Sequence, residues 1–256
     1  MRFSEAELLE LVARFVWPLA RIGGLLVAMP ILTGNAVPPR VLGLLALGVT
    51  VALMPALPPM PAVPLFSLGG FLITLEQVLI GALFGLILHF VFAAIVFGGQ
   101  NVAYNMGLGF ASLIDPQTGV QVPVIAQFYL ILATLFFLGV DGHLLVIQLV
   151  ADSFRAIPVD LGGLSRDRLW GVIVWSGRLF AAGVLMSLPL VAALLLVNLG
   201  FGVASRSAPQ LNIFSVGFPV SLLLGLLMVS ISLPDVMALF GDFLDEGYRI
   251  MSQMMN

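Results

Sequence analysis

The chain has 256 residues, 61% of them hydrophobic and only 9% charged, with a net charge of −3 and a mean hydropathy of +1.15. A soluble domain carries about 25% charged residues, so this is a membrane protein or the buried part of a membrane assembly. All ten basic residues are Arg and Cys is absent, which argues against nucleic acid as a partner and excludes disulfides, thiolate zinc sites and a Cys nucleophile.

The chain opens on an acidic segment with Glu5, Glu7 and Glu10, unlike the basic start of a signal peptide. Ser4 and Glu7 have capping-box spacing, which starts a helix at Ser4. The apolar pattern predicts helices over 5–31, 40–57, 66–100, 120–151, 164–205 and 210–248, with Pro55, Pro58, Pro59, Pro61 and Pro64 as a rigid break between the second and third. The runs 22–39, 41–75, 116–140, 179–205 and 207–234 contain no charge, and several exceed the roughly 20 residues that span a bilayer. The length suits one domain, 1–256, of about six spans. In such a scheme Arg2, Arg155, Arg166, Arg168 and Arg249 share one side against Arg40 and Arg206, which favours cytoplasmic ends. Pro18, Pro30, Pro189 and Pro219 lie inside apolar runs, so kinked or broken helices are expected, with protein neighbours to satisfy the freed backbone groups. Gly81 and Gly85 form a G-x-x-x-G pair that permits close helix contact.

Residues 77–114 carry no acid, Lys or Arg, yet the stretch changes character from VLIGALFGLILHFVFAAIVFGG to the polar, glycine-rich QNVAYNMGLGFASLI. A glycine-rich loop leaves backbone groups unpaired in hydrocarbon, so at membrane depth it must be buried in protein or line a cavity. Asp115-Pro116 follows as a turn signal. This makes the segment a candidate gate or plug. A second polar segment, ASRSAPQLNIF, holds Arg206 between two long charge-free runs, with Pro209 breaking the helix and Gln210 and Asn212 able to bond the freed backbone. It is either a junction that binds a partner or a plain polar turn.

Isolated polar residues interrupt the remaining apolar stretches: Arg14 and Arg21 on one helix face, with Glu10 four residues before Arg14, then Glu76, His89, Asp141, His143 and Arg178. Charges at such depth face a bundle interior, a cavity or a partner. They are scattered, whereas a proton relay concentrates its acids, so ion pairs that lock an assembly are the favoured reading. Catalysis finds little support. Asp141, His143 and Ser153 lack the marks of a triad. GLGF at 107–110 resembles the GLGD of intramembrane aspartyl proteases, but Phe110 stands where the carboxylate is needed. Two His without H-E-x-x-H suggest no metal site. No cofactor is implied.

Three segments in order, GLGFASLIDPQTGVQVPVIAQF, FFLGVDGHLLVIQLVADSFRAIP and ASRSAPQLNIFSVGFP, resemble the FliR/SctT family of type III protein export subunits in bacterial flagella and injectisomes. The likeness covers nearly the whole chain. NIFSVGFP without a following Lys is closer to the flagellar branch. The resemblance implies an all-α, membrane-derived bundle of kinked, tilted helical hairpins similar to a fused FliP-plus-FliQ unit. It implies a bacterial inner-membrane location within the flagellar basal body and assembly with FliP- and FliQ-like subunits, with a FlhB-like subunit associated. Unfolded export substrates pass through the channel, and membrane lipid surrounds part of the assembly. It assigns the plug to Gly107, Leu108, Gly109, Phe110, Ala111 and Ser112, with Gly107 and Gly109 letting the loop move. The assembly junction falls on Arg206, Pro209, Gln210, Asn212 and Phe214. The rival class is a small-solute secondary transporter with broken helices, which would show an internal repeat and act in isolation; no repeat is visible.

Overall fold

The computed structural model describes residues 5–32, 37–61, 63–109, 123–207 and 213–255, without the side chains of 5–11, 207 and 213–216. Among them all regular structure is helical. The helices are α1 (Glu5–Ala28), α2 (Pro39–Leu53), α3 (Leu68–Asn105), α4 (Val124–Gly139), α5 (Gly142–Ala156), α6 (Arg166–Ser176), α7 (Arg178–Ser207) and α8 (Ile213–Gln253), with a 3₁₀ turn at Met54–Ala56. Ser4, which would cap α1, lies outside the described residues.

Among the described residues four stretches are long and apolar enough to cross a membrane: Pro39–Ala56, Leu68–Asn105, Arg166–Arg206 and Gly217–Gln253. The pair α4 and α5, bent by 64°, makes a fifth if counted as one span. α3, at 38 residues, is about 57 Å long at 1.5 Å per residue, well beyond the roughly 30 Å hydrocarbon core.

Two expected helices are each divided. The run expected over 120–151 turns at Asp141, whose φ of 56° makes it the sole non-glycine with positive φ among the described residues. Asp tolerates this left-handed conformation better than most side chains, and its carbonyl accepts from the amides of Leu144 and Leu145 to start α5. The run expected over 164–205 is interrupted at Gly177. Of the two outcomes expected at prolines, kinked or broken helices, breaks are not seen at four of them. Pro18, Pro189, Pro219 and Pro234 lie inside continuous helices, and Pro30 falls just after α1 ends.

The chain divides into two compact units: Met1–Phe90 with Val140–Ser176 and Glu246–Asn256, and Val91–Gly139 with Gly177–Asp245. α3 and α8 each contribute to both. In the first unit, α1 lies directly on α3. A Cβ on Gly81 would strike the Arg21 carbonyl, one on Gly85 would come within 2.6 Å of Ala28 Cβ, and one on Gly24 would strike the Val78 carbonyl. The G-x-x-x-G pair is therefore a true backbone-to-backbone seam, with Gly24 as its counterpart on α1. α1 also packs along α2.

In the second unit α3 again meets its neighbours at glycine. A Cβ on Gly98 would lie 3.0 Å from the Gly183 carbonyl of α7, and one on Gly99 would lie 2.7 Å from Ala126 Cα of α4. Beside these contacts Phe92 packs edge-on against Phe137 and Phe240, at centroid distances of 5.7 and 5.4 Å, and Phe136 meets Phe240 at 5.9 Å. All of Phe92, Phe137 and Phe240 are buried. Such pairs add about 0.5–1.5 kcal/mol each beyond burial.

The seam gives a direct test. Gly81→Ala should lower stability by about 1–3 kcal/mol or more, because the obstacle is backbone that cannot rotate away. Gly43→Ala on α2, where a Cβ meets nothing within 4 Å, should instead stabilise by about 0.5–1 kcal/mol through helix propensity. Thermal unfolding of the two purified variants in detergent, each with its natural partners, reads the difference.

Candidate functional site

The polar, glycine-rich segment leaves α3 through a defined cap. The Met106 amide donates to the Val102 carbonyl, Gly107 to Tyr104 and Leu108 to Ala103, at 3.0, 3.1 and 3.0 Å. The last two are the nested bonds of a Schellman motif, which needs a left-handed residue at the position of Gly107. Gly107 has φ of +84°. Both Gly107 and Gly109 were expected to serve loop movement. The structure gives Gly107 a capping role, and the positive φ belongs to it and not to Gly109.

The cap is seated on α8. A Cβ on Gly107 would lie 2.9 Å from the Phe218 ring, and Gly225 leaves the space that Met106 fills. Next to it opens a cavity of about 570 Å³, walled by Tyr104, Asn105, Met106 and Gly107, by Asn198, Phe201 and Gly202 of α7, and by Gly217, Phe218 and Ser221 of α8. Leu108 and Gly109 are half-buried. Phe110, Ala111 and Ser112 lie outside the described residues, so only the root of the expected plug is defined.

A second polar centre occupies the first unit, where the α1–α3 seam brings Arg21 over the start of the charge-free part of α3. Arg21 is completely buried. Its Nε donates to Gln77 Oε1 at 2.8 Å, and Nη2 reaches the same oxygen. Nη1 donates to Ser153 Oγ at 2.9 Å, and Nη2 to the Ile157 carbonyl at 2.9 Å. The guanidinium lies 4.1 Å from the centre of the Phe154 ring, a cation–π distance.

Glu76 is half-buried and turns the other way, onto the connector after α5. Its two oxygens accept from the amides of Gly162 and Leu164, at 3.2 and 2.6 Å, and Gly162 adopts φ of +97°. Arg168 Nη1 donates to the Gly163 carbonyl at 2.5 Å. One turn of α3 thus binds α1 through Gln77 and the connector through Glu76, while Arg21 links α1 onward to Ser153 of α5.

The other singled-out charges are placed differently. Arg14, Asp141, Arg178 and Arg206 lie at the surface, as does His89, and His143 is half-buried. Glu10 lacks a described side chain. Arg206 sits in the last turn of α7, where a cation complements the helix dipole. Pro209, Gln210 and Asn212 lie outside the described residues, as does the side chain of Phe214. Among the described residues no three His, Asp or Glu side chains gather as a metal site would require. Sequence reasoning missed Gln77 and Phe154, and weighed Ser153 only for a triad, not as a partner of Arg21. The readable signal was the G-x-x-x-G pair, which fixes α1 against α3 and so brings Arg21 to Gln77.

Arg21→Met should cost about 3–5 kcal/mol, because it strands the buried groups that the guanidinium satisfies; Arg14→Met, at the surface, should cost under about 0.5 kcal/mol. Arg21→Lys should not restore stability, since one ammonium lacks the planar fork. Gly107→Ala should cost about 1–2 kcal/mol from its left-handed backbone alone. Thermal unfolding of each purified variant measures these losses.

Residues 12–247 match the family model described as bacterial export proteins, family 1. The flagellar biosynthetic protein FliR of Pectobacterium carotovorum is 34% identical over 255 residues, covering 100% of this chain and 97% of that protein. That of Escherichia coli K12 is 32% identical over 256 residues, covering 100% and 98%. That of Bacillus subtilis is 36% identical over 161 residues, 62% of each chain. With a family model spanning most of the chain and a relative above 30% identity matched along nearly its whole length, this chain belongs to bacterial export proteins, family 1, the FliR/SctT family.

Proposed function

We propose that this chain is the FliR-type subunit of a flagellar protein export gate in the bacterial inner membrane, within the flagellar basal body. It assembles there with FliP- and FliQ-like subunits and a FlhB-like subunit, folding as a unit similar to fused FliP plus FliQ. The segment that leaves Gly107 plugs the channel. The observation that carries this reading is the end of α3: a long helix with no Asp, Glu, Lys or Arg after Glu76 stops at a glycine cap beside a cavity, and the sequence that follows is glycine-rich and uncharged as far as Ile114. Backbone of that kind cannot face lipid, and a channel through the assembly is the environment that accepts it. The relatives that match this chain from end to end are flagellar biosynthetic proteins.

The mechanism is steric. Leu108 and Phe110 fill the closed channel, and the chain beyond Gly107 is displaced when an unfolded substrate enters. The cap holds the root still while this happens. The chain has no phosphate-binding motif of the Walker type, so the driving energy is supplied by other components.

Removing residues 108–112 while keeping Gly107 preserves the helix stop and deletes the plug. Cells expressing the assembled gate with this deletion should become permeable to small ions and metabolites. Full assembly with membranes as tight as wild type would refute the plug. The assembly itself is read separately: the detergent-solubilised chain should co-purify with FliP- and FliQ-like subunits, and recovery only alone or as a homo-oligomer would favour a transporter.

A further inference from the structure

A helix leaves its last carbonyls without intrahelical partners, and those at the end of α3 can be followed one by one. Val102 accepts from Met106, Ala103 from Leu108 and Tyr104 from Gly107. The Asn105 carbonyl is left over by the cap. It accepts instead from Asn198 Nδ2 of α7, at 3.4 Å, and Asn198 Oδ1 in turn accepts from Ser221 Oγ of α8, at 3.1 Å. The carbonyl needs a donor, which fixes the orientation of the amide. Ser221 is 5% exposed, so its hydroxyl is held where it meets Asn198. One exposed side chain therefore joins three helices: from within α7 it completes the cap of α3 and bonds α8. The apolar contacts at the same place, Phe218 on Gly107 and Met106 in the space above Gly225, keep the cap near α8 but do not set its direction.

We propose that Asn198 is the positioning residue of the α3 cap: through the Asn105 carbonyl and Ser221 it fixes the direction in which the chain leaves Gly107. Hydrogen bonds are directional where apolar contact is not. Asn offers a donor and an acceptor on one short planar group, which suits a bridge between a carbonyl and a hydroxyl. The consequence for permeability rests on the plug reading; the positioning itself does not.

The chain lacks Cys, so paired spin labels can be placed at Leu108→Cys and at Leu227→Cys on the exposed face of α8, and distances measured in the purified complex. Asn198→Leu keeps the approximate volume and removes both bonds. It should broaden the 108–227 distance distribution and raise the population away from the native distance by about tenfold, which is about 1.4 kcal/mol for the two bonds together. Asn198→Asp keeps the acceptor for Ser221 and removes the donor to Asn105, so it should broaden the distribution comparably. Ser221→Ala keeps the cap bond and should give an intermediate width. A distribution as narrow as wild type in both Asn198 variants overturns the proposal. If Asn198→Leu does not assemble, Asn198→Asp and Ser221→Ala decide the matter alone. Permeability is a separate arm, in which Asn198→Leu should leak in the full-length background and add nothing to the 108–112 deletion. A tight deletion would defeat the plug, while the distance distributions would still decide the role of Asn198.

Discussion

Close approach of backbones at glycine is the contact on which the rest of this molecule depends. α3 has no Asp, Glu, Lys or Arg after Glu76, so charge cannot fix its neighbours along most of its length. Between apolar helices in lipid the hydrophobic effect supplies no preference either, and fit must do so. Gly81 and Gly85 admit α1, Gly98 admits α7 and Gly99 admits α4, each so closely that a methyl group would collide. The aromatic contacts of Phe92 with Phe137 and Phe240 complete the second unit.

The polar groups that do enter the interior work as fasteners. Arg21 distributes four bonds over Gln77, Ser153 and the Ile157 carbonyl and stacks on Phe154. Its partners are neutral, which spares the burial of a second full charge. Glu76, one residue before Gln77, spends its carboxylate on backbone amides of the connector. A proton relay would set these groups in a line through water; here each is engaged with backbone or with a neutral side chain. The arrangement holds α1, α3, α5 and the connector to one another.

Much of this was legible from residues alone. The absence of charge, the apolar runs and the glycine pair led to the helices and to the seam. The family followed from three ordered motifs, and nearly end-to-end relatives support it. The breaks were harder to see. Asp141 turns the chain by taking a left-handed conformation that Gly142, next to it, would have advertised more plainly. Pro18, Pro189 and Pro219 pointed to kinks or breaks without deciding between them, and they lie within helices, where protein neighbours can satisfy the freed backbone groups. Gln77 and Asn198 drew no attention, since a neutral amide in an apolar run has no signature until its partners are known. Arg14 and Arg21 share a helical spacing, yet one is exposed and the other buried, because only Arg21 lies where α1 touches α3.

The glycines of α3 also act as a ruler. Gly98 and Gly99 lie on α3 and the cap at Gly107 follows directly on its end, and each successive residue of the helix turns by about 100°. Inserting or removing a single residue between Gly99 and Gly107 would swing the cap by that angle against the contacts with α7 and α4. Side chains along this stretch can be exchanged while volume is kept, but the count of residues from Gly99 to Gly107 cannot. Spacing alone thus sets the angle at which α3 stops against α7 and α4.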